Sequence, residues 1–560
     1  MGSEVTGREQ SVTSRQRRRH GRGTAESSHR RALYTGGGAG LAVIASVVIA
    51  LATTAHGAGD AAPAKLRPVT LLPVKLPPVK LSPVTLTSAP LGLNVGPWDG
   101  VYAANTSTSS GMQSMLKDAG IGQFRYGGGS FSDYYDWQTN TDAAKCLPVV
   151  TPASFTSSCA STDPLGFSQF SQQARAIDAN SFVTVNYGSG TPAEAAAWVT
   201  QAKDTPGEGV ALWEVGNENY GCWEINDELA TAPTNYQGYR LAGSSSDGTP
   251  SEPNCPQRTE GEAAGTQTLA TSYAAHAKLF LQAMKAADPS AEIGVPIALG
   301  QSVPGSNVPY NSEWNKTVLP AVAKDISFVD LHYYPFWVGG PSTYPTDQQI
   351  LQALRQIPAV NAYARAQLKT YAPNASVVVG ETALSNNPTV STCAPVGALF
   401  AAGDALGWLA AGAKSVDWFE LNSSANGGSS CGKPDYGFFT SSLPTATETP
   451  YYGYLLASIL AKPNAKLAAL GTDSSDIVAY QSALPGGKHA LAFINTNTSS
   501  ARTVTFRPSP ALTGTLNTWS YKAKGQNSTN SSIVTGTTSA AAIAHGITLP
   551  PESMTVLETQ

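Results

Sequence analysis

The chain has 560 residues, of which 41% are hydrophobic and 13% charged, and its formal net charge is −4. This length is ample for a large core and too long for one compact domain. The low charge, with 53 Gly and 38 Pro, is typical of a loop-rich extracellular protein. Eight Arg and three Glu fall in the first 31 residues, so the rest is acidic. An acidic body does not favour nucleic-acid binding.

The N-terminal part predicts export. Residues 1–38 are basic and polar, and disorder is expected there. Residues 39–58 contain a short apolar run followed by small residues, which predicts a signal sequence. Without cleavage the same segment would anchor the chain in a membrane. Arg30-Arg31 also matches a twin-arginine signal, a weak pattern.

Residues 59–89 are predicted to be a linker with a five-residue repeat, RPVTL, LPVKL, PPVKL, SPVTL, over 67–86. Proline in each unit favours an extended spacer, which would tether the protein to a membrane or a cell wall. Alternatively, the last unit is a strand of the folded body.

The six cysteines form no CxxC motif, so a metal site is not expected, and an even number in an exported chain favours disulfides. Sequential pairing would close three single loops: Cys146–Cys159, Cys222–Cys255 and Cys393–Cys431. Free buried thiols are the alternative. No glycine run is followed by a phosphate-binding Lys, so no cofactor is expected.

From residue 91 onwards strand and helix signals alternate eight times, which predicts a (β/α)8 barrel over 90–461. Short strands separated by Gly, Asn, Pro and Ser then predict an antiparallel β-sandwich over 462–560. The predicted barrel strands are Leu91–Val95, Gln123–Tyr126, Ser181–Asn186, the apolar run 209–212 continuing into the stretch 213–219, Glu292–Pro296, Phe328–Tyr334, Val377–Glu381 and Ser415–Leu421.

Two predicted barrel strands end in a glutamate. The fourth leads into Asn217-Glu218, and the seventh ends in Gly380-Glu381. The carboxyl ends of all eight strands meet at one face of such a barrel, which is where catalytic residues lie. A pair of carboxyl groups at that face is what glycoside hydrolysis requires.

Five stretches together resemble a family of enzymes. They are FRYGGGS (124–130), VNYGSGT (185–191), WEVGNE (213–218), LHYYP (331–335) and GE (380–381). With the sandwich, they resemble the retaining glycoside hydrolases that place the acid/base after strand four and the nucleophile after strand seven. Within that clan the α-L-arabinofuranosidases are most similar, followed by β-glucuronidase and heparanase-type enzymes. The resemblance covers about residues 90–560.

The resemblance implies roles for individual residues. Glu218 would be the general acid/base, and Asn217 would bind the sugar 2-hydroxyl. Glu381 would be the nucleophile, with Tyr334 bonded to its carboxylate. His332 lies two residues before Tyr334, on the same side of the strand. A satisfied core histidine is the alternative for His332.

Further candidates rest on position. Arg125 is a candidate substrate-binding residue. It either pairs with Glu214, which shares strand parity with Glu218, or keeps Glu381 ionised. Glu420, at the end of the eighth strand, is a weaker third carboxylate for sugar hydroxyls.

Asn186 and Tyr187 end strand three and are predicted to contact sugar, with turn chemistry as the alternative. Trp98, Trp223 and Trp337 fall in loops at the same face, where they would either stack on sugar rings or pack inside.

One residue departs from the arabinofuranosidase pattern. Ser130 stands where those enzymes carry a substrate-reading Asn, which weakens the sugar assignment without affecting a two-carboxylate mechanism. We therefore expect a secreted retaining glycosidase acting on cell-wall or plant polysaccharide. The alternatives are a β-glucuronidase-like or endo-acting glycanase, a transglycosylase with the same residues, and a non-catalytic wall-tethered glycan-binding protein.

Overall fold

The computed structural model describes residues 73–75, 83–103, 107–141, 162–221, 224, 269–299, 314–338, 341–422, 436–440, 443–447, 449–505, 512–523 and 533–560. All of them belong to the compact unit Val69–Gln560. The predicted disordered region 1–38, the signal segment 39–58 and five of the six cysteines lie outside the described residues. None of the described helices combines the length and apolarity needed to cross a bilayer.

Eight parallel strands form a closed barrel, in which each strand pairs with the next and the last pairs with the first. This confirms the predicted fold class. With all described strands numbered in chain order, the barrel strands are β3 (Leu91–Val95), β4 (Gln123–Tyr126), β5 (Asn180–Val185), β6 (Leu212–Val215), β7 (Ile293–Pro296), β8 (Phe328–Tyr333), β9 (Ser376–Thr382) and β10 (Val416–Trp418).

Helices follow most of these strands. The start of α4 shows how the local sequence sets a helix: α4 starts with Pro192, and Thr191 caps it by accepting a hydrogen bond from the Glu194 amide. The described helices are α1 (Gly100–Ala103), α2 (Ser107–Asp118), α3 (Phe167–Ala176), α4 (Pro192–Asp204), α5 (Leu269–Ala287), α6 (Trp314–Val322), α7 (Asp347–Ala353), α8 (Ile357–Tyr371), α9 (Val390–Cys393), α10 (Pro395–Ala411) and α11 (Thr449–Leu460).

The barrel interior is layered because alternate side chains of each strand point inward. At the N-terminal end of the strands, four buried side chains form a separate apolar cluster that we call the plug: Phe182, Leu212, Phe328 and Val378. Polar side chains follow two residues further along the same strands, beginning with Thr184 and Glu214. On β5 and β6 the apolar plug residues therefore precede polar ones by one inward position.

After the barrel come two mainly antiparallel sheets, of three and seven strands. Their strands are β13 (Lys466–Leu470), β14 (Ile477–Ala483), β15 (His489–Asn495), β16 (Arg502–Thr505), β17 (Thr515–Lys522), β18 (Val534–Ser539), β19 (Ile547–Leu549) and β20 (Ser553–Thr559). A hairpin of β11 (Phe439–Thr440) and β12 (Leu443–Thr447) precedes α11.

Two units of the proline repeat add edge strands to these sheets. Strand β1 (Pro73–Lys75) pairs parallel to β16, and β2 (Val84–Thr85) pairs antiparallel to β13. The last repeat unit is therefore part of the folded body, as one of the two sequence interpretations expected.

Candidate active site

The turn after β6 presents Glu218. Gly216 and Glu218 both have positive φ, 75° and 44°. A Cβ on Gly216 would lie 2.0 Å from Oδ1 of Asn219, so glycine is required there. A glutamate with positive φ is strained, and such strain is concentrated at functional sites. Its carboxylate accepts a hydrogen bond from the Tyr220 hydroxyl at 3.0 Å.

A shift in register between β8 and β9 directs the Glu381 side chain towards Glu218. Asp330 of β8 pairs with Val378, but His332 pairs with Glu381, so β9 has one extra residue at this point. Bulges of this kind redirect side chains next to active sites. Gly380 lies beside the Asp330 carboxyl, whose oxygen accepts a 2.6 Å hydrogen bond from the Gly380 amide.

Arg125 is the centre of the site and has no exposed surface. Its Nη1 donates to Oε1 of Glu381 at 2.7 Å, and its Nη2 donates to Oε2 of Glu214 at 2.9 Å. Nε lies 3.3 Å from Oδ2 of Asp330. Arg125 therefore contacts both of the carboxyl groups, Glu214 and Glu381, that the sequence offered as its partners. The prediction that Arg125 binds substrate is wrong, because the residue is enclosed beneath the carboxyl groups.

The two candidate catalytic carboxyls are close together. Nδ1 of His332 lies 2.8 Å from Oε1 of Glu218 and 3.4 Å from Oε2 of Glu381. One oxygen of each glutamate and the imidazole nitrogen all lie within 4.8 Å of one another. The hydroxyl of Tyr334 donates to Oε2 of Glu381 at 2.6 Å. We name the six ionisable residues of this region the rim cluster: Arg125, Glu214, Glu218, Asp330, His332 and Glu381.

Charge is distributed unevenly within the rim cluster. Burial would lower the pKa of His332, but the charges of Glu381 and Asp330 outweigh it and raise that pKa well above its usual value. Burial and the charge of Asp330 raise the pKa of Glu214 to about 8, against the opposing effect of Arg125. Burial also acts to raise the pKa of Asp330, but His332 and Arg125 overcome it and lower that pKa.

Asn217 lies where the resemblance placed it. Its side chain accepts a hydrogen bond from Nη2 of Arg125 at 2.8 Å and donates to Oε1 of Glu224 at 3.0 Å. His332, Tyr334, Asn217 and the two glutamates are thus brought together.

Asn186 and Tyr187 are not brought to the rim cluster. The Asn186 side chain accepts from the amides of Ser189 and Gly190 and donates to the Tyr135 carbonyl, which is turn chemistry. The Tyr187 ring is fully buried and packs 4.7 Å from the ring of Tyr273 on α5. These positions contradict direct sugar contacts, because the backbone leaves strand geometry after Val185.

The predicted aromatic platforms differ among themselves. Trp98 packs over Gly128, where a Cβ would lie 2.2 Å from the indole, and contacts Phe131 with ring centroids 5.1 Å apart. Trp337 is 42% exposed, so its ring is accessible to a ligand. Trp223 lies outside the described residues. Glu420 is buried and its charge acts on Tyr436, as do those of Glu381 and Glu218.

Three site residues were missed by the sequence reasoning. Asp330 precedes His332 by two residues on a strand, so parity alone could have placed it beside Arg125. Tyr220 follows Glu218 by two residues in a turn, where no periodicity applies. Glu224 is 6% exposed and carried no motif.

Two sets of side chains have donor atoms close enough for a metal ion: Glu214, Asp330 and His332, and Glu218, His332 and Glu381. In the first set, Glu214 and Asp330 already contact the guanidinium of Arg125. A cation would therefore have to compete with a fixed positive charge. That no metal or cofactor is needed remains a prediction.

The class of fold is therefore a (β/α)8 barrel followed by a β-sandwich, with paired carboxyls at the carboxyl ends of strands β6 and β9. No family model matches the chain. An intracellular exo-α-(1→5)-L-arabinofuranosidase of Bifidobacterium longum is 23% identical over 239 residues. That match covers 40% of this chain and 34% of the length of that enzyme.

Solved structures extend the similarity over most of the chain. A family 51 α-L-arabinofuranosidase from Bifidobacterium longum has a TM-score of 0.62 and 14% identity, covering 87% of this chain and 98% of that one. A 4-O-α-L-rhamnosyl-β-D-glucuronidase from Fusarium oxysporum has a TM-score of 0.56 and 15% identity, covering 87% and 100%. The resemblance predicted from the five motifs is confirmed at the level of the fold, which is similar to that of an α-L-arabinofuranosidase and of a glucuronidase.

Proposed function

We propose that this protein is a secreted, retaining glycoside hydrolase that cleaves cell-wall or plant polysaccharide, with an α-L-arabinofuranosidase-like activity. The observation that carries the proposal is the spacing of Glu218 and Glu381, whose oxygens approach within 4.8 Å. Retaining enzymes keep their carboxyls about 5–5.5 Å apart, whereas inverting enzymes need about 6.5–9.5 Å for a water molecule.

The hydrogen bonds suit different roles for the two glutamates. Glu381 accepts hydrogen bonds from Arg125 and Tyr334, which fix the orientation of the carboxylate that would act as nucleophile. It would attack the anomeric carbon while Glu218 gives its proton to the departing oxygen. A water molecule then attacks the glycosyl-enzyme bond, passes its proton to Glu218, and releases Glu381.

The surroundings of Glu218 suit the acid/base role. Its side chain is 18% exposed, against 6% for Glu381, so the water molecule of the second step can reach it. Its Oε1 contacts Nδ1 of His332 at 2.8 Å and the Tyr220 hydroxyl at 3.0 Å, which hold the carboxyl group in place.

Secretion and a tether to membrane or wall remain part of the proposal, supported by the apolar segment within 39–58 and the proline repeat. The arabinofuranosidase-like specificity is supported by the fold shared with a solved α-L-arabinofuranosidase and by 23% identity over 239 residues to another.

The test is hydrolysis of nitrophenyl glycosides by the full chain: α-L-arabinofuranoside, β-D-xyloside, β-D-glucuronide, β-D-galactoside and β-D-glucoside. We expect turnover of the arabinofuranoside, with the first product released in the anomeric configuration of the substrate, as seen by proton NMR. A product of inverted configuration would contradict the mechanism. If only the β-D-glucuronide were cleaved, the arabinofuranosidase-like specificity would be replaced by a β-glucuronidase-like one.

The Glu381→Ala variant is the control for that experiment. Hydrolysis should disappear, and added azide should restore release of nitrophenol by attacking from the vacated side and giving a glycosyl azide of inverted configuration. If Glu381→Ala hydrolysed at the wild-type rate, the nucleophile would lie elsewhere. If no glycoside or polysaccharide were cleaved by the wild type, the glycan-binding alternative would replace the enzyme.

A further inference from the structure

Glu224 contacts the site from the side opposite Arg125. Its carboxyl is 6% exposed, and one oxygen, Oε1, accepts two hydrogen bonds. The Ser130 hydroxyl donates one at 2.7 Å, and Nδ2 of Asn217 donates the other at 3.0 Å. Ser130 is the residue at which the chain departs from the arabinofuranosidase pattern.

The Asn217 amide is consequently held at both ends. Oδ1 accepts from Arg125 at 2.8 Å, and Nδ2 donates to Glu224. An amide held by a donor on its oxygen and an acceptor on its nitrogen cannot exchange the two ends. Nδ2 carries two hydrogens, and Glu224 uses one of them.

The environment of Glu224 is unfavourable for a charged carboxylate. Burial raises its pKa well above the usual value, followed by the charges of Asp133 and Glu218, while Ser130 and Asn217 act in the opposite direction. A buried carboxyl next to two others is costly for stability, so an apolar residue would be the simpler choice for packing. A neutral carboxylic acid still offers a carbonyl oxygen as acceptor.

We propose that Glu224 is a positioning residue, whose Oε1 fixes the amide of Asn217 so that its remaining N–H meets the hydroxyl next to the anomeric carbon. This inference rests on the proposed glycosidase function. Glu224 acts as a hydrogen-bond acceptor and takes no part in proton transfer. Ser130 supports the same oxygen from the other side.

The test compares Glu224→Gln with Glu224→Met in the full chain. Gln keeps an acceptor oxygen, and Met keeps the length without one. Each variant is assayed with the nitrophenyl glycoside that the wild type cleaves best, starting with the α-L-arabinofuranoside, and with its 2-deoxy analogue. We expect kcat/KM of Glu224→Gln to stay within about threefold of wild type, and that of Glu224→Met to fall about 10²-fold on the parent sugar.

On the 2-deoxy analogue, Glu224→Met should lose no more than about threefold, because the contact it disturbs is already missing. Equal losses on both sugars would show a purely structural role and overturn the proposal. So would a Gln variant as poor as the Met variant, since charge would then be the essential property.

Ser130→Ala covers the case in which Glu224→Met fails to fold. It removes one partner of the same oxygen and should give a smaller loss that is again confined to the parent sugar. A loss of equal size on both sugars would overturn the proposal by this route. If the wild type cleaves no glycoside, the proposed function itself is overturned. If the wild type is active but the losses of its variants are not confined to the parent sugar, only the role of Glu224 is overturned.

Discussion

Two layers of the barrel interior differ in chemistry, although β6 and β8 contribute to both. In one layer the plug consists of apolar side chains, such as Phe328 packed edge-to-face on Phe182. Two residues further along, Glu214 and Asp330 surround the guanidinium of Arg125. On β6 and β8 the first inward residue is therefore apolar and the next is acidic. Substitutions in the two layers should therefore fail in different ways.

The largest effect is expected at the rim. Glu218→Ala should lose about 10²–10⁴-fold in kcat/KM on glycosides with alkyl leaving groups, which need a proton to depart. Nitrophenyl glycosides, whose leaving group is already a weak base, should lose far less in bond cleavage. The measurement is kcat/KM across a series of leaving groups, with Glu292→Ala on the surface as control. An equal loss across the series would remove Glu218 from the acid role.

Arg125 connects the two layers, since its guanidinium carbon lies 5.6 Å from the Phe182 ring centre. Arg125→Met leaves buried carboxyls without their cation, which costs about 3–5 kcal/mol of unfolding free energy. Activity should fall as well, because Glu381 loses a donor. Urea unfolding and kcat/KM measure both effects.

The exposed Arg365→Met is the matched control for Arg125→Met and should change neither quantity. A fully stable but inactive Arg125→Met would show that the carboxyl groups around Arg125 lose their charge at no cost in stability.

Substitution in the plug should affect stability alone. Phe328→Ala removes a buried ring that packs against Gly294 and should cost about 3–5 kcal/mol. At a temperature where the variant stays folded, kcat should remain close to wild type. Leu279→Ala, at a side chain 50% exposed, is the control. A large fall in kcat for folded Phe328→Ala would mean that the two layers are not separate.

A smaller, pH-dependent effect on stability is expected at Asp404 on helix α10. Asp404 of α10 is fully buried and accepts hydrogen bonds from Thr382 and Trp408. Burial raises its pKa from 3.8 to about 7. The folded state thus keeps this proton when the unfolded state has lost it, and the resulting stability disappears as the pH rises from about 4 to about 7.

Asp404→Asn should therefore raise Tm at pH 8 relative to wild type. The gain in free energy of unfolding should be on the order of a few kcal/mol at most. At pH 4 the two proteins should unfold at similar temperatures. Asp204→Asn, on the exposed end of α4, is the control. A stabilisation of equal size at both pH values would assign the effect to packing.

Local patterns were sufficient to predict the strands and the pairing of Arg125 with Glu214, because parity along a strand decides which side chains share a face. The same rule brought His332 and Tyr334 to one site. It failed at Tyr187, where the chain has left the strand and the ring turns to helix α5. Alternation alone also could not supply the extra residue in β9, which depends on pairing with β8. Glu224 follows the turn that carries Glu218, where no periodicity applies.

The edge strand β2 has a consequence for the order of synthesis. Val84 pairs with Leu467, so a segment made before the barrel meets one made after it. A chain emerging from the ribosome has no partner for β2 until all eight barrel strands have been translated. The pairing of β2 with β13 can therefore form only after all the barrel strands have been made. A chain stopped short of β13 would leave β2 without its partner strand.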